Sequence, residues 1–236
     1  MQTIRDAVNC CSSRARLAGA FSSRLAPEAL KDLESIEHPS SYSAATILFS
    51  ENDPPKGVYL VLVGEVKLTI NSSDGKRLTL RIAKEGEILG LVSTLSGSRC
   101  EMTAETLHPS KLAYIERSDF LRYLVDHPEV YQTVTEELSR SYTLACDQLR
   151  TVGLSVSVSE KIARLMLGWN EGDQITELGT RFHFPLTHEE IGEFIGASRE
   201  TVTRTLTIFK HRRLVAFQGS ILTIPSRSAL ESYACG

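Results

Sequence analysis

Residues 186–206, LTHEEIGEFIGASRETVTRTL, encode two short helices joined by a tight turn. Thr187 and Glu190 have the T-x-x-E spacing of a capping box, which predicts the start of the first helix. Gly196 predicts its end, and Ser198 is a simple N-cap for the second helix. Two helices separated by such a turn form a helix-turn-helix.

The second of these helices has one apolar face and one charged face. Val202, Leu206 and Phe209 recur at helical spacing and predict the buried face. An arginine can bind O6 and N7 of guanine, and a glutamate can accept from N4 of cytosine. The opposite face is therefore predicted to read bases in a major groove, although a charged face that simply meets solvent is the alternative. Its residues are Arg199, Glu200, Thr203 and Arg204.

Short β-branched runs separated by glycines occupy residues 46–127 and predict an antiparallel barrel or roll. Residues 1–45 predict a weakly helical extension instead. A long helix is predicted over residues 128–153, and its apolar residues at heptad spacing are typical of a dimer axis, with packing on its own domain as the alternative. Those residues are Tyr131, Val134, Leu138, Tyr142, Ala145, Leu149 and Val152. After a short hinge, residues 154–236 complete the helix-turn-helix domain with a hairpin wing.

Composition places the chain among ordinary globular proteins. It has 236 residues, of which 42% are hydrophobic and 23% charged, with a net charge of −3. Charges interrupt the first twenty residues, and no apolar run approaches eighteen, so we expect a cytoplasmic protein with no membrane partner. Five scattered cysteines without ligand spacing favour reduced thiols over a zinc or iron-sulfur site, and no haem signature is evident.

The helix-turn-helix run, preceded by SEKIARLM and by a β-rich region with GEILG, resembles the CRP/FNR family of bacterial transcription regulators over roughly residues 45–225. The resemblance implies an α+β fold: an N-terminal antiparallel β-roll similar to cyclic-nucleotide-binding domains, a long central dimer helix and a C-terminal winged helix-turn-helix. It implies a homodimer that binds palindromic DNA with TGTGA-like half-sites and contacts RNA polymerase. Matching positions imply base readout by Arg199, Glu200 and Arg204, and phosphate contacts by Thr187, Ser198 and Thr201.

The chain departs from the nucleotide-binding members of this family after Gly90. In an alignment extended from Gly90 without gaps, Leu91 falls where those members have a ribose-binding glutamate. Glu101 falls where they have a phosphate-binding arginine. A carboxylate facing a phosphate at about 4 Å costs ~4 kcal/mol at an effective dielectric of 20. Cyclic AMP is therefore disfavoured, and the effector stays unknown. A two-residue shift would bring Arg99 to the phosphate, and the remaining pocket candidates are Met102, Cys146 and Asp147.

Three other functions stay open. The chain could be a true cyclic-nucleotide-responsive regulator, or a redox-responsive one acting through Cys100 and Cys146. A metal-dependent enzyme is the hypothesis from a different class, and we expect no enzyme because the H-E-x-x-H spacing is missing. Its candidate residues are His188, Glu189, Glu190 and Glu193.

Overall fold

The computed structural model describes residues 20–169, 174–176 and 179–234, so Cys10, Cys11 and Cys235 lie outside the described residues. These residues separate into two compact units. The first contains residues up to Asn71 and residues Arg81–Leu144, and the second contains Ser72–Leu80 and the chain from Ala145 onward.

Two four-stranded antiparallel sheets belong to the first unit, except for residues 77–80 of one strand, which fall in the second unit. One has the strand order β1-β8-β3-β6 and the other β2-β7-β4-β5. Apolar residues from both sheets, including Val61, Leu68 and Leu112, pack into one buried cluster, which is the core that the alternating runs predict. The strands are β1 (His38–Tyr42), β2 (Ile47–Phe49), β3 (Gly57–Val63), β4 (Val66–Asn71), β5 (Arg77–Ala83), β6 (Ile88–Leu89), β7 (Thr103–Thr106) and β8 (Ser110–Glu116).

Helices cover a second core of the first unit, in which Phe21, Leu33 and Phe120 are fully buried. The prediction of a helical extension through residue 45 was wrong at its end, because residues 38–42 form β1 and pair with residues 110–114 of β8. The helices are a 3-10 turn (Ser22–Arg24), α1 (Pro27–Ile36), α2 (Leu91–Ser96), α3 (Arg117–Asp126) and α4 (Val130–Leu154). Helix α4 belongs to the first unit up to Leu144 and to the second unit from Ala145 onward.

The long helix α4 begins two residues after Pro128 and ends one residue after Gly153. Val134 is 2% exposed in the core of the first unit, and Leu138 packs against the same cluster. The assignment of Val134 to an exposed heptad stripe was therefore wrong, since its own unit already buries it. Farther along α4, Tyr142 and Leu149 are exposed, at 73% and 69%.

The second unit contains a four-stranded antiparallel sheet of order β11-β12-β10-β9 and four further helices. Its core buries Ile162, Ile191, Val202 and Phe209. The hairpin of β11 and β12 confirms the predicted wing, whereas the last helix was not anticipated. The elements are α5 (Val158–Leu167), β9 (Gln174–Thr176), β10 (Gly179–His183), α6 (His188–Ile195), α7 (Arg199–His211), β11 (Ala216–Gln218), β12 (Ile221–Ile224) and α8 (Arg227–Ala234).

Within the described residues, no helix combines the length and the apolar character that crossing a bilayer requires.

Candidate nucleic-acid interface and sensor site

The turn between α6 and α7 is built by caps and glycines. The Thr187 hydroxyl accepts from the Glu190 amide, and the Glu190 carboxylate accepts from the Thr187 amide at 2.8 Å, which completes the predicted capping box. Gly196 ends α6 in the left-handed conformation at φ 66°. Gly192 was not singled out from the sequence, yet a Cβ there would lie 2.5 Å from the carbonyl oxygen of Ala197. A residue other than glycine would therefore push the turn open.

Helix α7 has the two faces that its sequence predicts. Val202, Leu206 and Phe209 are at most 1% exposed and hold the helix against its own unit. The Ser198 hydroxyl accepts from the Thr201 amide as the N-cap. The opposite face is exposed. Within about two helical turns it presents two guanidinium groups, a carboxylate and a threonine side chain. It consists of Arg199, Glu200, Thr203 and Arg204.

The carboxyl group of Glu200 is held in its charged form. Hydrogen bonds from its own backbone amide and from Ser198, together with the charge of Arg199, lower its pKa. An ionised carboxylate only accepts hydrogen bonds, which suits the amino group of cytosine or adenine. The start of α7 also carries the positive end of the helix dipole, which favours this anion and nearby phosphates.

His188 contacts Thr203 across the two helices. Its Nδ1 lies 2.8 Å from the Thr203 hydroxyl, which in turn donates to the carbonyl oxygen of Arg199 at 2.9 Å. Burial, followed by the charges of Lys210 and Arg199, lowers the pKa of His188. The sequence analysis placed Thr203 on the base-reading face and named His188 only as a candidate metal ligand. It had no signal for this contact, because fifteen residues separate the two.

Three of the four residues of the hypothetical metal-dependent enzyme have other partners. His188 contacts Thr203, Glu190 completes the capping box, and Glu193 accepts from Thr79 at 3.4 Å. Among residues 20–169, 174–176 and 179–234, no group of three potential metal ligands lies close together.

The effector-pocket candidates of the first unit do not come together as the ungapped comparison predicts. Leu91 begins α2 and is buried in the helix-covered core, so its assignment as a pocket residue was wrong. Met102 packs against the core between the sheets, Glu101 is exposed, and Arg99 donates to the carbonyl oxygen of Asn52 at 2.7 Å. Introducing a glutamate at position 91 would thus disrupt packing rather than restore a ribose contact.

A small cavity of about 30 Å³ lies beside Gly90, the one candidate that lines it, together with Tyr59, Ser93 and Cys100. This volume accommodates one or two water molecules. Burial, as the largest cause, raises the pKa of the Cys100 thiol, and its Sγ lies 3.7 Å from the Ser93 hydroxyl. A raised pKa lowers the thiolate fraction, so this environment works against Cys100 as a redox sensor.

The other two pocket candidates belong to the second unit. Cys146 is half-buried on α4, and Asp147 is exposed and paired with Arg150.

A network of paired charges in the first unit was not anticipated from the sequence. Arg81 pairs with Glu87, and Arg140 lies 3.8 Å from Glu87 and 2.9 Å from Glu137. Glu137 is 3% exposed and also pairs with Arg24. Only the pair of Glu137 and Arg140 has local helical spacing. The pairs with Arg24 and between Arg140 and Glu87 join distant parts of the chain, so no local pattern reveals them.

Two family models match the chain in the same order as its two units. The cyclic nucleotide-binding domain matches residues 39–127, and the Crp-like helix-turn-helix domain matches residues 160–233. This combination defines a DNA-binding transcription regulator. The chain belongs to the CRP/FNR family.

Known proteins of similar length support this assignment. The chain is 27% identical to the transcriptional activatory protein AadR of Rhodopseudomonas palustris, covering 87% of this chain and 85% of that protein. It is 28% identical to the nitrogen fixation regulation protein FixK of Bradyrhizobium diazoefficiens, covering 92% and 91%. The structure of FixK2 from Bradyrhizobium japonicum superimposes with a TM-score of 0.72 at 21% identity, covering 84% and 97%, and shares the fold.

Proposed function

We propose that this protein is a cytoplasmic homodimer that reads palindromic DNA through α7 and regulates transcription together with RNA polymerase. The observation that carries the proposal is the exposed face of α7, where Glu200 and Arg204 lie one helical turn apart on a helix with a buried opposite face. An arginine fork and an ionised carboxylate select a guanine and a cytosine or adenine, which fits TGTGA-like half-sites. Thr187, Ser198 and Thr201, at the starts of α6 and α7, are the proposed phosphate contacts.

The proposed dimer forms through a stripe of residues along α4. Tyr131, Thr135, Leu138, Tyr142, Ala145, Leu149 and Val152 follow an alternating spacing of four and three residues along this helix. Tyr142 and Leu149 expose apolar surface that no residue of the described chain covers to any large extent. A second copy of the chain offers the same stripe, and parallel pairing of the two helices would bury both. The two recognition helices would then enter major grooves about 34 Å apart.

The proposed sensor has lost its cyclic AMP pocket. Leu91 lies in the core, and Arg99 faces a backbone carbonyl rather than a cavity. Arg81 and Arg140, two further cations of the first unit, are already paired with the carboxylates of Glu87 and Glu137. A cyclic phosphate entering there would have to displace these internal carboxylates, which costs affinity.

Selection from a random DNA pool tests the proposal for DNA readout. The purified protein should enrich an imperfect palindrome whose arms lie one helical turn apart and contain a G·C and a C·G pair. Enrichment of a motif without two-fold symmetry would contradict the dimeric readout.

A second candidate function is a regulator that does respond to a cyclic nucleotide, which the match of residues 39–127 to a cyclic nucleotide-binding domain favours. Calorimetric titration with cyclic AMP and cyclic GMP separates the two. Micromolar binding that Arg99→Ala abolishes would support this second function. It would also support the two-residue shift of the alignment that brings Arg99 to the phosphate.

A further inference from the structure

The hydroxyl of Thr203 has two hydrogen-bond partners, and their directions are fixed by a count of protons. A hydroxyl carries one proton, and Thr203 donates it to the carbonyl oxygen of Arg199 at 2.9 Å. With that proton donated to the Arg199 carbonyl, we assign the contact at 2.8 Å with Nδ1 of His188 to a hydrogen bond in which Nδ1–H donates. His188 therefore carries a proton on Nδ1.

These two bonds select one orientation of the Thr203 side chain. A threonine within a helix divides between two rotamers, because its hydroxyl can reach the carbonyl of a preceding turn in more than one way. A donor on α6 stabilises the rotamer in which the hydroxyl lies toward His188. The γ-methyl is then the group of this exposed side chain that takes part in no hydrogen bond.

We propose that His188 is a positioning residue for base readout, which holds the Thr203 methyl group toward the DNA so that it contacts the methyl group of a thymine. The inference rests on the proposed function, since it requires α7 to lie in a major groove. Apolar contact with the thymine methyl is a recognised means of reading this base, and it depends on a methyl rather than a hydroxyl facing the groove.

The surroundings of His188 are compatible with this role at neutral pH. The charged groups that face it are Lys210 and Arg199, both on α7. The wing residues Phe217, Gly219 and Ser220 line the same hollow and carry no charge. The neutral form with the proton on Nδ1 and the doubly protonated form both donate from Nδ1, so the bond to Thr203 persists in either state.

A uracil scan of the selected operator tests the inference, because uracil differs from thymine only by the missing methyl group. Each thymine of the two arms is replaced in turn, and binding is measured by fluorescence anisotropy. With the wild-type protein, one position per arm should lose about fourfold in affinity, the value of one buried methyl group. Thr203→Ser keeps the hydroxyl and removes the methyl, so this penalty should disappear.

Two variants of His188 then separate positioning from general structure. His188→Leu removes the donor and should reduce the uracil penalty to less than twofold. His188→Asn places an amide nitrogen the same number of bonds from Cα as Nδ1. This variant should restore the uracil penalty. In the Thr203→Ser background, His188→Leu should cause no further change at this position, because the two residues act through one contact.

The outcomes distinguish this inference from the proposed function. A wild-type protein that selects no palindrome overturns both. A normal operator whose uracil penalty is the same in His188→Leu as in the wild type overturns the role of His188 alone. If His188→Leu does not fold, a penalty that is unchanged in Thr203→Ser still overturns the inference.

Discussion

Helices α2 and α7 both follow a glycine in the left-handed conformation, yet α2 begins with a buried side chain and α7 with exposed ones. Gly90 directly precedes α2, which has no side-chain cap and buries Leu91 in the core. Gly196 ends α6 two residues before the Ser198 cap of α7, which turns four polar residues toward solvent. The start of α2 is thus directed inward, whereas the segment proposed to read DNA is directed outward.

The two regions also differ in whether their charged side chains are paired with one another or exposed. Arg81, Arg140, Glu87 and Glu137 neutralise one another inside the first unit. On α7 the charged groups of Arg199, Glu200 and Arg204 are exposed and available to a partner. This contrast agrees with the proposed function, in which the exposed face of α7 reads DNA and the cations of the first unit are paired internally rather than with a ligand.

The largest expected effect is the loss of the proposed dimer, on which the proposed DNA readout depends. Tyr142→Glu combined with Leu149→Glu should give monomers that still fold, because both side chains are exposed. Operator affinity should fall about 100-fold or more, since two linked half-sites no longer bind together. Sedimentation and anisotropy measure the two effects.

Thr143→Glu combined with Leu144→Glu adds the same charge beside the stripe and serves as the control. This control should remain a dimer. A Tyr142→Glu/Leu149→Glu protein that sediments as a dimer would show that the subunits meet elsewhere.

Next in size is the loss of a base-reading side chain. Glu200→Ala or Arg204→Ala should cost ~1 to 3 kcal/mol per half-site and should relax the preference at one base pair, because each removes a specific contact. Thr207→Ala changes an exposed residue farther along α7 and should leave affinity and preference unchanged. Competition binding with single-base operator variants checks this, and an equal loss on all sequences would reassign the residue to phosphate contact.

A smaller effect is expected at the N-cap of α7. Ser198→Ala should lower the free energy of unfolding by ~0.5 to 2 kcal/mol, and it should weaken binding to all DNA sequences alike. Ser198→Asp is the matched variant, since aspartate caps a helix equally well but repels phosphate. Chemical denaturation should show Ser198→Asp as stable as the wild type, while its DNA binding is weaker; unchanged binding would remove Ser198 from the interface.

The smallest expected effect is the pH dependence contributed by His188. Burial and the charges of Lys210 and Arg199 lower its pKa in the folded protein, so the unfolded chain binds this proton more readily. Its contribution to stability is therefore complete above the ordinary histidine value of 6.5 and declines as the pH falls below it. The change stays under about 1 kcal/mol because the site is partly exposed to solvent.

Thermal unfolding between pH 7.5 and pH 5 measures this contribution against His188→Asn. The variant should lose less stability than the wild type over this interval. A larger loss in the variant would mean that His188 gains rather than loses protons on folding.

Much of the DNA-binding face could be predicted because its determinants are local. The capping box of Thr187 and Glu190, the Ser198 cap and the apolar spacing of Val202 and Leu206 all act within one or two helical turns. Residues this close meet through the geometry of the helix itself. The bond between His188 and Thr203 escaped prediction because it depends on how two helices pack.

The sensor region was less predictable because distant parts of the chain decide it. Strand β1 forms against β8, whose residues lie about seventy positions away in sequence. The burial of Leu91 and Val134 depends on the helices that cover them, and the pair of Arg140 with Glu87 joins α4 to a loop before β6. The spacing of apolar residues within a short stretch of sequence does not reveal such contacts.

The central claim is that the exposed face of α7 reads base pairs in a two-fold symmetric site. Parallel selections from one random DNA pool with the wild type and with Glu200→Ala test it most directly. The wild type should enrich an imperfect palindrome with TGTGA-like arms, and the variant should enrich the same palindrome with one base pair per arm no longer specified. An identical motif from both proteins, or a motif without two-fold symmetry, would contradict it.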